Sequence, residues 1–316
     1  DRLEWSLLVL VLLGAVFFLV PPDYFSLRQV SAYAIHWLFL CLCVGIAALF
    51  AGMDRLLYAA FGASAIMALF LMNAYNMDLR LARGNEPEGI SLVFANLSLS
   101  EDGERNSLAG LNPYDADLLL FEECTPDAVP LFENLHSDYP HQLIMPRADP
   151  QGKAILSKFP FIERTSFTIA GHLVVQIGIR RFTGDSFRIL IANALPPITM
   201  TAYQQLHNFL DSLSNHIRPE WTGTILAANF NVIPWSKEFR SFRLKTGMVG
   251  SRRDNQEGST HASALDFFLA PYNEILFSGH LECSRFQVIA DTKGNPFGLY
   301  GRYQFKKRLP LANPAR

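Results

Sequence analysis

The sequence predicts an α/β or α+β sandwich of one domain, carried on three transmembrane helices at its N-terminal side. Three observations predict it. Half of the 316 residues are hydrophobic and the mean hydropathy is positive, where a soluble chain of this size usually falls slightly below zero. The charges avoid the N-terminal part: residues 1–84 hold five basic and five acidic side chains, all at the edges of apolar runs, which leaves 22 basic and 24 acidic of the chain's 27 and 29 for residues 85–316. Beyond residue 89, short β-rich runs alternate with a few helical signatures.

The apolar runs are Trp5 to Val20, Val30 to Ala51 and Leu56 to Tyr75. A helix crossing hydrocarbon needs roughly 20 residues, which the second and third supply and the first reaches once Leu3 is counted. Pro21 and Pro22 end the first run. Amides in lipid must pair within their own segment, so three runs imply three helices, joined by loops that allow only antiparallel neighbours. Small residues such as Gly45, Ala48, Ala60 and Ser64 favour close helix contact. The first run lacks a basic flank and a small-residue cleavage site, so it reads as retained rather than as a signal peptide. His36, beside Trp37 near one end of its run, reads as interfacial. An odd number of spans separates the N-terminus from the soluble domain. With the N-terminus inside, Arg2 and Arg55 are cytoplasmic while Arg28, Arg80 and Arg83 lie outside, a count that mildly opposes that orientation.

The boundaries that follow are an anchor over 1–78, a linker over 79–88, the domain over 89–305 and a tail over 306–316. Within the domain, strands are predicted at Ile90–Leu97, Asp117–Glu122, Gln142–Met145, Ala154–Ser157, Leu173–Ile179, Ser186–Ala192, Gly223–Ala228, Ala264–Ala270 and Phe286–Ala290. Helices are predicted at Pro126–Leu135, Thr199–Asn215 and Ser236–Thr246. The balanced charge does not mark a nucleic-acid binder. Four cysteines, Cys41, Cys43, Cys124 and Cys283, have neither disulfide-framework nor metal-ligand spacing and read as buried apolar side chains. The pairs Arg252–Arg253 and Lys306–Arg308 read as solvated loop charges. No Gly-rich phosphate loop, serine elbow or repeat is present.

In order and spacing, SLVFANLS, DADLLLFEECTPD, GKAILSKFPF, ILIANALPP, ILAANFNVIPWSKEFR, SALDFFLA and CSRFQVIAD resemble the endonuclease/exonuclease/phosphatase superfamily, over about residues 88–305. The resemblance implies the four-layer DNase I-like sandwich. Its sharpest stretch is NFNVIPWSKEFR, similar to GDFNxxPxSxxF. Three helices before such a domain resemble a bacterial arrangement, which implies an inner-membrane protein with its domain outside the cytoplasm.

Phosphodiester cleavage in such a fold needs a hard cation held by oxygen ligands, an activated water and donors facing the developing charge. The resemblance assigns Asn96 to the first-motif Asn, Glu123 to the magnesium-binding Glu, Asn231 to the Asn of GDFN and Asp266 to the penultimate-motif Asp. It also implies losses. Asn193 and Ala194 stand at the Thr-His motif, and Asn229 replaces the Asp of GDFN with a neutral amide. Ser284, Arg285 and Phe286 stand at the terminal Ser-Asp-His, where a phenyl ring accepts no proton. Formal charge at the site then goes from about minus four to about minus one. The expectation is that Arg285 occupies the cation site, forking onto Glu123 or Asp266, and that no magnesium binds. Two rescues stay open: His261 as a substitute base, or His280, read as the histidine of a displaced terminal motif.

The function these residues point to is a non-catalytic, membrane-anchored binding or scaffolding subunit of a larger membrane assembly. Its implied partners are the bilayer and other membrane subunits, without nucleic acid or cofactor. The alternatives are a Mg2+- or Mn2+-dependent phosphodiesterase or phosphatase built on Glu123 and Asn96, and a sensor of a small phosphorylated ligand through Arg285.

Overall fold

The computed structural model describes residues 2–22, 27, 30–73, 89–181, 184–218, 223–252 and 272–306. Three helices, α1 (Arg2–Leu19), α2 (Ala34–Ala51, preceded by a 3-10 turn at Ser31–Tyr33) and α3 (Asp54–Met72), match the apolar runs and are long and apolar enough to cross a membrane. Leu10, Leu13, Leu49, Phe50 and Leu69 point outward from them, as lipid-facing side chains would. Gly14 lets α1 approach the Trp37 ring of α2, and Gly52, at φ 68°, closes α2 in a left-handed turn. At that end of the bundle Glu4 accepts hydrogen bonds from the backbone N–H groups of Arg55 (3.1 Å) and Leu56 (3.4 Å), satisfying the start of α3.

The soluble part has two six-stranded sheets. The first runs in the order β11 (Leu281–Ala290), β12 (Pro296–Phe305), β1 (Ile90–Ala95), β2 (Leu118–Glu122), β4 (Lys153–Ser157), β3 (His141–Met145). The second runs β5 (Phe161–Ile169), β6 (His172–Arg180), β7 (Ser186–Asn193), β8 (Thr224–Asn229), β10 (Asn273–Ser278), β9 (Met248–Gly250). Central strands are buried on both faces, which is why ISLVFA and LLLFE read as nearly continuous apolar runs, interrupted by Ser91 and ended by Glu122. Ile90, Leu92 and Phe94 face the second sheet across the central core. Val93 and Ala95 face outward, under α4 (Glu104–Ala109) and α5 (Val129–Glu133). On the other side α6 (Met200–His216) and α7 (Lys237–Thr246) cover the second sheet through Leu206, Phe209, Phe239 and Phe242. The result is a four-layer α/β sandwich. Thr199 and Ser236 cap α6 and α7 by accepting from the backbone N–H groups of Ala202 (3.1 Å) and Phe239 (3.2 Å).

Strands β5, β9, β10 and β12 and helix α4 were not predicted. The exposed edge strand β5 is rich in polar residues, and β12 carries two glycines that disguise it. Gly301 has a packing reason, because a Cβ there would collide with the ring and hydroxyl of buried Tyr303. The predicted strand Ala264–Ala270, with Asp266 and His261, lies outside the described residues, as do the linker 79–88 and residues 307–316 of the tail.

Among the described residues, bundle and sandwich meet around Trp235. Trp235, in the loop between β8 and α7, donates from its indole N–H to the carbonyl of Ser31 at 2.9 Å. Trp235 and Ile233 pack against Phe18, Ala34, Ile35, Met67 and Leu71, where α1 ends, α2 begins and α3 ends.

Candidate functional site

Parallel pairing of β1 with β2 and of β7 with β8 brings the C-terminal ends of four strands to one end of the sandwich. Side chains alternate along a strand, so the inward-facing residue at each end points into the cleft between the sheets. Asn96, Glu122, Asn193 and Asn229 arrive there in this way, and Lys153 joins them from the start of β4, directly across the ladder from Glu122. All five are buried, Glu122 to 2 % exposure and Lys153 to 1 %.

Their hydrogen bonds fix how each presents itself. Asn229 accepts from the backbone N–H of Asn231 at 3.1 Å through its carbonyl oxygen, so its amide N–H2 turns inward and donates to Glu122 at 3.2 Å. Asn231 in turn donates to the Ala194 carbonyl at 2.7 Å. Asn193 donates to the Pro150 carbonyl at 2.8 Å and accepts a short hydrogen bond from the Lys153 ammonium. Asn96 accepts from the Ser98 N–H (3.0 Å) and hydroxyl (2.6 Å), and that hydroxyl lies 3.2 Å from the Glu123 carboxylate.

Burial pushes the Glu122 carboxyl up to about 7; the neighbouring Glu123 raises it further, and Asn229 and Lys153 oppose the rise. Burial likewise brings the Lys153 ammonium down to about 8 against the attraction of Glu122. Each partner thus recovers part of the other's desolvation cost.

Measured against the sequence expectations, the structure brings Asn96, Asn229 and Asn231 to this end and links Glu123 to Asn96 through Ser98. The buried carboxylate facing Asn229 belongs to Glu122, while Glu123, at φ 55°, turns away one residue later. Ala194 holds Asn231 through its backbone and sends its side chain into the outer core with α6.

Arg285 and Phe286 require correction. Arg285 pairs with Arg302, which pairs with Ser91 at the start of β1, so it sits at the opposite end of the strand from Asn96. That is roughly 16 Å away along the strand direction, at about 3.3 Å per residue. Its guanidinium lies 5.6 Å over the Tyr300 ring rather than on Glu123. Phe286 is buried in the central core. A register shift between Cys283 and Arg285 bends this strand, and no local signal in CSRFQVIAD reveals which end of the sheet it occupies. The turn that does reach the cleft end is Asp291–Asn295, just before Pro296 and β12; Phe297 of that strand accepts from the Asn96 N–H at 2.9 Å. Lys293 there pairs with Glu101 at 2.5 Å, and Gly294 has no side chain. Although burial raises the Asp291 carboxyl, donations from the Glu101, Asn295 and Lys293 backbones and the Asn295 amide outweigh it and bring it to about 2. Those donors tie Asp291 into its own turn and to the Glu101 loop beside it.

His280 is also misplaced for a base, in the turn after β10 at the far end, where its carbonyl accepts from Lys306 N–H at 3.0 Å. The His172 ring packs on Phe209 of α6, and His207 bonds Tyr203 on the helical face. Lys153 is a buried residue of this candidate site that the sequence expectations do not include. Its signal was present: a lysine opening the otherwise apolar AILS strand, in a motif already singled out.

A divalent cation requires a shell of oxygen ligands. The described residues do not fit one. Asn229 turns an N–H2 rather than an oxygen inward, the Asn96 oxygen is taken by Ser98, and an ammonium shares the cleft with Glu122. Among the described residues, no group of three or more His, Cys, Asp or Glu side chains stands close enough to hold a metal.

No protein-family model matches the chain, and no curated protein matches it. Solved structures do. An endonuclease/exonuclease/phosphatase from Beutenbergia cavernae superposes with a TM-score of 0.56 at 12 % identity, over 69 % of this chain and 72 % of that one. The mannosyl-6-phosphatase of Bacteroides thetaiotaomicron gives 0.53 at 16 % identity, over 68 % and 100 %. The human Nocturnin catalytic domain with bound sulfate gives 0.53 at 14 %, over 69 % and 94 %. These likenesses show the fold: the soluble part is a DNase I-like sandwich.

Proposed function

We propose that this chain is a membrane-anchored DNase I-like domain without phosphodiesterase activity, serving as a binding or scaffolding accessory subunit of a larger membrane assembly. The observation that carries the reading is Lys153. Its ammonium supplies, inside the cleft and beside Glu122, the positive charge that a hydrolase of this fold would draw from a divalent ion. Among the described residues, the other groups at this end of the sandwich are also committed elsewhere. Asn193 and Asn229 are spent on Lys153 and Glu122. A fold relieved of catalysis still offers loops and a cleft to a partner. The three helices support a bilayer location, and the family resemblance supports a bacterial inner membrane with the domain outside the cytoplasm.

The test has three parts. Titration of the full chain with Mg2+ or Mn2+ should leave its melting temperature unmoved. Hydrolysis of a generic phosphodiester should stay at background for the native chain. Purification from native membranes in mild detergent should bring down a reproducible set of membrane proteins. Glu123 favours one other reading, a divalent-metal phosphodiesterase or phosphatase, because its carboxylate is joined to Asn96 through Ser98 at the cleft mouth. A metal-dependent rate that disappears in Glu123→Ala would establish that activity and end the scaffold proposal.

A further inference from the structure

The two ends of the sandwich differ in what they show to solvent. At the far end exposed Arg180 closes β6, and the half-buried Arg181, Asp185 and Lys306 lie in the turns beside it. At the cleft end the second sheet exposes apolar side chains. Leu195 and Met200 flank the β7–α6 loop, with Ile198 at 77 % exposure between them, and Tyr272 leads into β10. Residues 191–210, which run from the end of β7 into α6, contain no Asp, Glu, Lys or Arg.

Strand order places these residues. β7 and β10 are the two neighbours of β8, and the loop after β8 is the one whose Ile233 and Trp235 dock on the helical bundle. The Leu195–Met200 loop and Tyr272 therefore lie on either side of the docking point. The connection is direct on the β7 side, where Asn231 holds the Ala194 carbonyl, one residue before Leu195. Nearby, the Arg240 guanidinium of α7 lies 5.7 Å over the Phe70 ring near the end of α3, and Lys237 sits one turn earlier on α7. Exposed apolar side chains beside a basic helix face, continuous with the end of a membrane-crossing bundle, match the chemistry of the bilayer interface: acyl boundary below, phosphate headgroups at its level.

We infer that the Leu195–Met200 loop and Tyr272 are seated in the interfacial layer of the bilayer, so that the cleft end of the sandwich faces lipid. This inference rests on the membrane-anchored reading but not on the absence of catalysis. An apolar rim in the headgroup region fixes the tilt of the domain and directs whatever enters the cleft to approach along the membrane surface.

The experiment uses the full chain, with its cysteines intact, carrying a genetically encoded fluorescent amino acid at one position at a time. The chain is reconstituted in phosphatidylcholine–phosphatidylglycerol vesicles containing headgroup-nitroxide or acyl-chain-nitroxide lipid. Positions 195 and 198 should lose most of their emission to the headgroup nitroxide, position 162, exposed on β5, should keep its emission, and position 49 in α2 should respond to the acyl-chain nitroxide. Quenching at 49 without quenching at 195 or 198 overturns the inference and leaves the anchor standing. No quenching at 49 overturns the anchor reading itself. A benzoylphenylalanine at position 198, irradiated in native membranes, should cross-link to lipid; a cross-link to a protein instead replaces the lipid by a partner subunit and also overturns the inference.

Discussion

Lys153 stands directly across the β2–β4 ladder from Glu122, and neither side chain reaches solvent. The ladder aligns them because each is the last inward-facing position of its strand at the cleft end. Two buried, oppositely charged groups held by register rather than by a loop make a fixed feature, and its energetics are open to measurement.

The acid should leave a pH signature. Glu122 titrates higher in the folded chain, at about 7, than its ordinary value of 4.5, so its contribution is fully present below 4.5 and is lost as pH rises through about 7. Compared with Glu122→Gln, the native chain should lose on the order of 3 kcal/mol of unfolding free energy over that window. Denaturant titrations in detergent at successive pH values measure it, and a constant gap would mean that the carboxyl is solvated.

Removing one partner should cost more than removing both. Lys153→Met removes the attraction that opposes the rise of the Glu122 carboxyl and strands the buried Asn193 oxygen, and should destabilise by about 1–3 kcal/mol at neutral pH. Adding Glu122→Leu to that variant should restore much of the loss. A double-mutant cycle with strictly additive effects would mean that the two groups do not interact.

Gly152 precedes Lys153 and approaches the Cys124 carbonyl so closely that a Cβ would overlap it, while its own carbonyl accepts from the Cys124 N–H at 3.0 Å. Gly152→Ala must displace backbone and is expected to cost several kcal/mol. Gly184→Ala, at a φ of 93° with open space around it, controls for glycine conformation alone and should cost less.

Trp235 joins the two parts of the chain. Trp235→Phe removes the bond to Ser31 while keeping most of the apolar contact, and should cost about 1 kcal/mol. Trp235→Ala should cost about 3–5 kcal/mol. Protease susceptibility of the loop between β8 and α7, measured in vesicles, should rise in the same order.

Restoring one family residue should not restore chemistry. Asn229→Asp places a carboxylate against Glu122 with Lys153 still in the cleft. The variant should remain at background with a generic phosphodiester in Mg2+ or Mn2+. A metal-dependent rate in this variant would show that Lys153 does not exclude the ion.

Most strand and helix positions were legible because burial writes itself into composition. Three charge-poor runs gave three helices, and β1, β2, β4, β7 and β8 were visible as apolar runs of strand length. The caps Thr199 and Ser236 were equally visible. The edge strand β5 and the glycine-bearing β12 escaped, since an exposed face and missing side chains remove that signal.

By itself the sequence determined three helices apolar enough to cross a membrane, the sandwich, and a neutral Asn229 where the resemblance implies an acid, because these depend on local composition and motif spacing. Tertiary structure alone decided that Lys153 enters the cleft, that Glu122 is the acid it faces, and that Arg285 lies at the wrong end. Those outcomes depend on strand register and direction. One residue of slip exchanges the two faces of a strand, and reversing an assigned direction exchanges its two ends.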